Sequence, residues 1–232
     1  MGSPENDDDT VAEFSSPPCF LHELEPAFVV PTTHGEVTGW RKTERQRLIA
    51  DRLGTSADQR QNNAAKIASA LDTYIGNPEG LTISTYWPFR GEPDLRKWME
   101  SVTRRGGQCA LPVVIERGQP LIFRKWKAGD PLVRGVWNIP IPAEGPAINP
   151  DIVIAPVVGF DPHCYRLGYG GGFFDRTLAA MSMKPRIVGV GYESAFIPTI
   201  HPQPYDIPMD AVITEQQIHS PIKDPDVAQP KA

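Results

Sequence analysis

Cysteine is scarce in this chain: three in 232 residues, Cys19, Cys109 and Cys164, widely spaced and odd in number. That excludes a disulfide framework and any zinc-ligand spacing, and it points to a reducing, cytoplasmic setting. No apolar run approaches the roughly 20 residues that a membrane span requires. The opening MGSPENDDDT is acidic and lacks a secretory apolar segment. Charge of one sign is also missing: the net is −5, and the acids gather in the tails (Glu5, Asp7, Asp8, Asp9, Asp224, Asp226). Neither nucleic acid nor a membrane surface is therefore an expected partner.

Two glycine signatures are absent as well. A dinucleotide fingerprint needs a third glycine where Phe173 stands, and a P-loop needs a Gly-Lys-Ser/Thr ending that occurs nowhere near this stretch. What is present is GFDPHCYRLGYGGGFFDR, Gly159 to Arg176, with Gly168, Gly170, Gly171 and Gly172 in five positions. The apolar run Asp151 to Phe160 predicts a buried strand before it, and Phe174, Leu178 and Met181 predict a helix after it. Strand, glycine loop and helix start aim backbone N–H groups and a positive helix end at one point, which suits a phosphate. A tight turn using glycine for positive φ is the plainer alternative.

A chain of this length with 40% hydrophobic residues supports one α/β domain with tails. We expect a leader over 1–38, partly disordered, a domain over 39–218 and a disordered tail over 219–232. The leader's apolar patch, CFLHELEPAFVVP, is either a packed arm or loosely ordered. Trp40 to Arg52 predicts a basic helix with Arg41, Arg45 and Arg52 on one face. Ser56 to Gln59 predicts a capping box opening a second helix, ended by Gly76-Asn77-Pro78. Leu81 to Trp87 and Gln108 to Ile115 read as strands around a helix from Asp94 to Arg105, and Pro120 to Trp126 as a shorter third. Helical crossovers predict a parallel sheet. Lys127 to Asn149 reads as an extended loop, followed later by strands over Arg186 to Glu193 and Ala211 to Glu215. His34, His163 and His201 lack ligand spacing and receive no role.

The segment RLGYGGGFFDR, with VWNIPIP upstream and PYDIPMDAVITE downstream, closely resembles the 5-formyltetrahydrofolate cyclo-ligase family, in order from Trp40 to Glu215. The resemblance implies a single-domain three-layer α/β sandwich around a mainly parallel sheet, of the ribose-isomerase and CoA-transferase kind. It implies an ATP- and Mg2+-dependent closure of 5-formyltetrahydrofolate to 5,10-methenyltetrahydrofolate, by a monomer or homodimer whose partner is a small folate. The formyl oxygen would attack the γ-phosphate, and a neighbouring amine would then displace phosphate.

The same resemblance assigns residues. Arg45 and either Arg41 or Lys42 would reach ATP, since Arg41 stands in the first position where the family has Lys, with Lys42 beside it. Arg166 and the backbone from Leu167 through Gly168, Tyr169, Gly170, Gly171, Gly172 and Phe173 to Phe174 would cradle it. Arg166 and Asp175 would be catalytic, and Asp175 and Asp206 would hold the metal. Arg45, Trp87, Glu92, Trp137, Tyr169 and Phe173 would contact the folate. Each has a plainer alternative: a solvated face for the basic helix, dipole complementation for Asp175, a turn for Asp206, a surface position for Glu92 and core packing for both Trp residues. Two rival functions are a non-catalytic relative that binds nucleotide or folate, and an ATP-dependent enzyme for another heterocycle. The unusual leader and the altered first basic position favour the first slightly, and retention of Glu92, Asp175 and Asp206 together argues against it; ATP binding without folate binding would favour the second.

Overall fold

The structure is a computed structural model that describes residue 31 and residues 33–222. The expected disorder at the start, most of the apolar patch and the tail from 223 lie outside the described residues. Two helices come first, α1 (His34–Gly54) and α2 (Ala57–Ile75). The first starts six residues before Trp40 because Thr33 and Glu36 form a reciprocal capping box, a Thr-x-x-Glu signal present in the sequence. The second has only half a box: Ser56 accepts from the Gln59 amide, while the Gln59 side chain turns to Asn63.

β1 (Thr82–Ser84), α3 (Arg96–Arg104) and β2 (Gln108–Val113) form the first crossover. The helix begins two residues later than expected, since the Asp94 carboxylate accepts from the Arg96 amide and leaves Asp94 outside the helix. β3 (Ile122–Lys125) returns antiparallel to β2, because the connection is too short for a crossover helix. The expected loop over 127–149 instead contains a hairpin, β4 (Leu132–Arg134) and β5 (Pro140–Pro142), and the edge strand β6 (Ala147–Ile148). The single strand expected over 151–160 is two: β7 (Ile152–Pro156) in the main sheet and β8 (Gly159–Phe160), which pairs with β9 (Arg166–Leu167). α4 (Phe173–Ala180), β10 (Arg186–Val190), β11 (Ala211–Ile213) and β12 (Ile218–His219) complete the order.

The main sheet runs β12-β11-β10-β7-β1-β2-β3-β6. Its five central strands, β11 to β2, are parallel, and the strands at both ends are antiparallel. Side-chain alternation sends Ile152, Ile154, Val188, Val190, Cys109 and Leu111 to one face, where Ile67 and Leu71 of α2 and Trp98, Met99 and Val102 of α3 cover them. Val153, Ile187 and Ala110 face the other way, onto Leu178 of α4 and Phe160. These are the expected three layers, with core on both sides of a buried parallel sheet. The chain's path reverses between β1 and β7: β2 and β3 lie on one side of that pair, β10 and β11 on the other. Ligands of open α/β sheets bind beyond the carboxyl ends of strands at such a switch point.

Candidate active site

A cleft of about 680 Å3 opens where the topology places it, past the ends of β1, β2 and β7. Every residue that the family resemblance assigned to the site lines it: Arg41, Lys42 and Arg45 from α1; Trp87 and Glu92 after β1; Trp137 from the β4–β5 hairpin; Arg166 through Asp175; and Asp206. His34, His163 and His201 are elsewhere, in contact with Gln203, the Ile222 carbonyl and the Trp40 ring.

One end of the cleft gathers groups that can receive an anion. Gly170 and Gly172 have φ of 92 and 61, and Gly172 is the N-cap of α4. With no side chain capping that helix, its first N–H groups stay available to a ligand. A Cβ at Gly171 would lie 2.7 Å from the Phe173 ring, so side chains are excluded where the loop narrows. Arg45 donates through Nε to the Gly168 carbonyl at 2.6 Å, and its terminal nitrogens lie against Gly170 without a protein partner among the described residues. Arg166 is buried, donates to Asp175 at 2.7 Å and leaves Nε with no partner. Burial lowers the pKa of both Arg166 and Arg45, from values so high that the charge persists; Asp175 and Asp206 oppose the shift at Arg166.

The metal question turns on two carboxylates. Asp175 accepts from Arg166 and from the Ile207 amide at 3.3 Å. Asp206 accepts from Arg41 and from the Gln203 amide at 2.7 Å. Among the described residues no three His, Cys, Asp or Glu side chains gather as a metal cage. Mg2+ is seldom held by such cages; it takes one or two carboxylates with phosphate oxygens and water. Asp175 and Asp206, each with accepting capacity left and both facing the glycine loop across one cleft, fit that donor set. Arg41 also donates to the Ile200 and His201 carbonyls at 3.0 Å, so its guanidinium is committed to the protein. Lys42 beside it is exposed and has no partner among the described residues.

The other end is aromatic. Trp87 is held edge-on by Trp126 at 5.7 Å, Phe89 tilts against Tyr169 at 5.8 Å, and Trp137 meets Phe173 at 5.7 Å. Trp137 is 53% exposed, so it is a rim residue and not core. It occupies a hairpin turn at φ 54, followed by Asn138 at φ 62, and an aromatic residue rarely adopts that conformation. Glu92 is 6% exposed and accepts from the Phe89 amide at 2.9 Å and the Tyr169 hydroxyl at 3.0 Å. Burial raises its pKa to about 7, against the pull of Arg52 and those two donors. Sequence reasoning assigned no site role to Arg52, Phe89 or Tyr205; the last two line the cleft. The one available signal was the shared helix face of Arg41, Arg45 and Arg52.

Known proteins agree with this architecture. A 5-formyltetrahydrofolate cyclo-ligase of Escherichia coli is 29% identical over 175 residues, covering 72% of this chain and 96% of that protein. That of Haemophilus influenzae is 27% identical, covering 72% and 92%. The NMR structure of a 5,10-methenyltetrahydrofolate synthetase from Aquifex aeolicus superposes with a TM-score of 0.70 at 25% identity, covering 82% of this chain and 96% of that one. With residues 37–215 matching the family as a whole, the chain belongs to the 5-formyltetrahydrofolate cyclo-ligase family.

Proposed function

We propose that this protein converts 5-formyltetrahydrofolate to 5,10-methenyltetrahydrofolate, with ATP as phosphoryl donor, Mg2+ as its counter-ion, and ADP and phosphate as products. The observation that carries this is a single cleft with an anion cradle at one end and an aromatic wall with a buried carboxylate at the other. Phosphoryl transfer is mostly positioning and charge neutralisation, and the cradle supplies both.

In this reading the glycine loop and the start of α4 bind the phosphates through backbone N–H groups. Arg166, whose buried Nε lacks a partner, donates to an oxygen of the transferred group. Lys42 and Arg45 neutralise the remaining phosphate charge, and Arg41 orients Asp206. Asp175 and Asp206 would hold the metal, which would supply charge neutralisation at the phosphates. Glu92 accepts from the pterin's amino and ring N–H donors, and Trp87 and Trp137 offer faces to its rings. Enclosure by Phe89, Tyr169 and Phe173 excludes water that would otherwise take the phosphoryl group. Buried, unpaired Cys109 and Cys164 support a reducing compartment, the cytoplasm in this reading. No helix among the described residues is long and apolar enough to cross a membrane.

The test is direct. Purified protein, 5-formyltetrahydrofolate and MgATP are mixed and the methenyl product is followed by absorbance, with ATP omitted as control. An ATP-dependent rise is expected. No rise, with both ligands still binding by calorimetry, would leave a non-catalytic binder; ATP binding without folate binding would indicate another heterocycle.

A further inference from the structure

Arg52 is a buried cation with no surface to serve. It is 5% exposed, on the last turn of α1, behind the cleft wall and outside the lining. Its Nε donates to the Arg90 carbonyl at 2.9 Å, its Nη1 to the Val157 carbonyl at 3.4 Å and its Nη2 to the Tyr169 hydroxyl at 2.5 Å. The hydroxyl in turn reaches Glu92 Oε1 at 3.0 Å. A guanidinium has only donors, so the Tyr169 oxygen must accept from it, and the single hydroxyl hydrogen goes to Glu92 at 3.0 Å in preference to the Phe89 carbonyl at 3.5 Å. The Phe89 amide donates to the other carboxylate oxygen at 2.9 Å. Both groups that hold Glu92 thus donate to it, and the ionised carboxylate is left as an acceptor lining the cleft.

We infer that Arg52 is a positioning residue for the folate end of the site, setting the direction of the Tyr169 hydroxyl and holding Glu92 as a carboxylate for the pterin's N–H donors. This rests on the folate reading above. Other groups around Glu92 do not replace Arg52. Arg60 on α2 packs against Gly91, and Tyr192 donates to the Gly91 carbonyl at 3.0 Å. Tyr86 donates to the Pro93 carbonyl at 2.9 Å, and Arg90 lies over the Phe89 ring. Glu215 acts on Tyr192 from beyond it, and Asp94 on Tyr86. Arg52 is the cation that opposes the burial of Glu92.

The test compares wild type, Arg52→Gln and Arg52→Lys in KM for 5-formyltetrahydrofolate and for ATP across pH. Gln keeps a donor and loses the charge; Lys keeps both. With Gln, the pH midpoint of the folate KM moves up by about one unit, and near neutral pH that KM rises about fivefold. The ATP KM stays within about twofold. Lys restores the wild-type midpoint, which a packing role would not require of it. Equal changes in both KM values, an unmoved midpoint in folded Arg52→Gln, or a Lys variant shifted as far as Gln would overturn the inference. If Arg52→Gln does not fold, Tyr169→Phe, which breaks the link between Arg52 and Glu92, takes its place: an upward-moved midpoint of the folate KM is expected, and an unmoved one overturns the inference. Absence of wild-type turnover overturns the inference together with the function, whereas turnover with unmoved midpoints overturns only the role of Arg52.

Discussion

Glu92 carries an energetic signature that is independent of catalysis. Its pKa is raised to about 7 from an ordinary value near 4.5, with burial as the main cause. The folded state therefore binds the proton more tightly than the unfolded chain. The stability this adds is complete below the unfolded value and is lost as pH rises through about 7. Glu92→Gln removes that dependence. The variant's unfolding free energy relative to wild type should grow between about pH 5 and pH 8, by up to about 3 kcal/mol. Thermal or denaturant unfolding at several pH values measures it, and a constant difference would contradict the burial argument. The role of Glu92 was legible only through its neighbours in the family pattern, since a lone Glu before a helix looks like a surface residue. Arg52, which reaches it through the Tyr169 hydroxyl, was visible as a third basic residue on one helix face. Eleven residues are about 16 Å of helix, so that face meets Asp206 at Arg41, the Gly168 carbonyl at Arg45 and the Tyr169 hydroxyl at Arg52. Periodicity gives the face but not what each turn touches.

Among the elements, the glycine loop carries the strongest prediction. Gly172 caps α4 at φ 61, and a Cβ there would come within 2.9 Å of Arg176 Nη1. Gly172→Ala should cost about 1 kcal/mol in backbone strain. It should also tilt the first N–H groups of α4, weakening ATP about tenfold, as read by calorimetry, with folate binding unchanged. Unaltered ATP affinity would remove the α4 N-terminus from the phosphate site. This loop was legible because strand, glycines and helix are local signals with a shared consequence. The β4–β5 hairpin was not. Its turn uses Trp137 and Asn138 at positive φ, where the sequence pattern expects Asn-Gly or Asp-Gly. A strained aromatic at a cleft rim is the kind of departure from local preference that functional sites show. The break of the 151–160 run into β7 and β8 was hidden for a related reason: continuous apolarity marks burial and not which sheet receives it.

At the scale of the whole molecule, β-α-β spacing foretold the parallel centre, while the antiparallel edges depended on connection lengths. The switch between β1 and β7 brings segments more than sixty residues apart, Trp87 to Glu92 and Arg166 to Asp175, to one rim. No local pattern reports that convergence; only the closed sheet does. The central claim is that this rim divides its work, phosphates at the glycine loop and folate at Glu92. The measurement that tests it most directly is the pair of KM values for Glu92→Gln near neutral pH. A folate KM raised by about tenfold or more is expected, with the ATP KM within about twofold of wild type. An equal rise in both, or a rise confined to ATP, would contradict it.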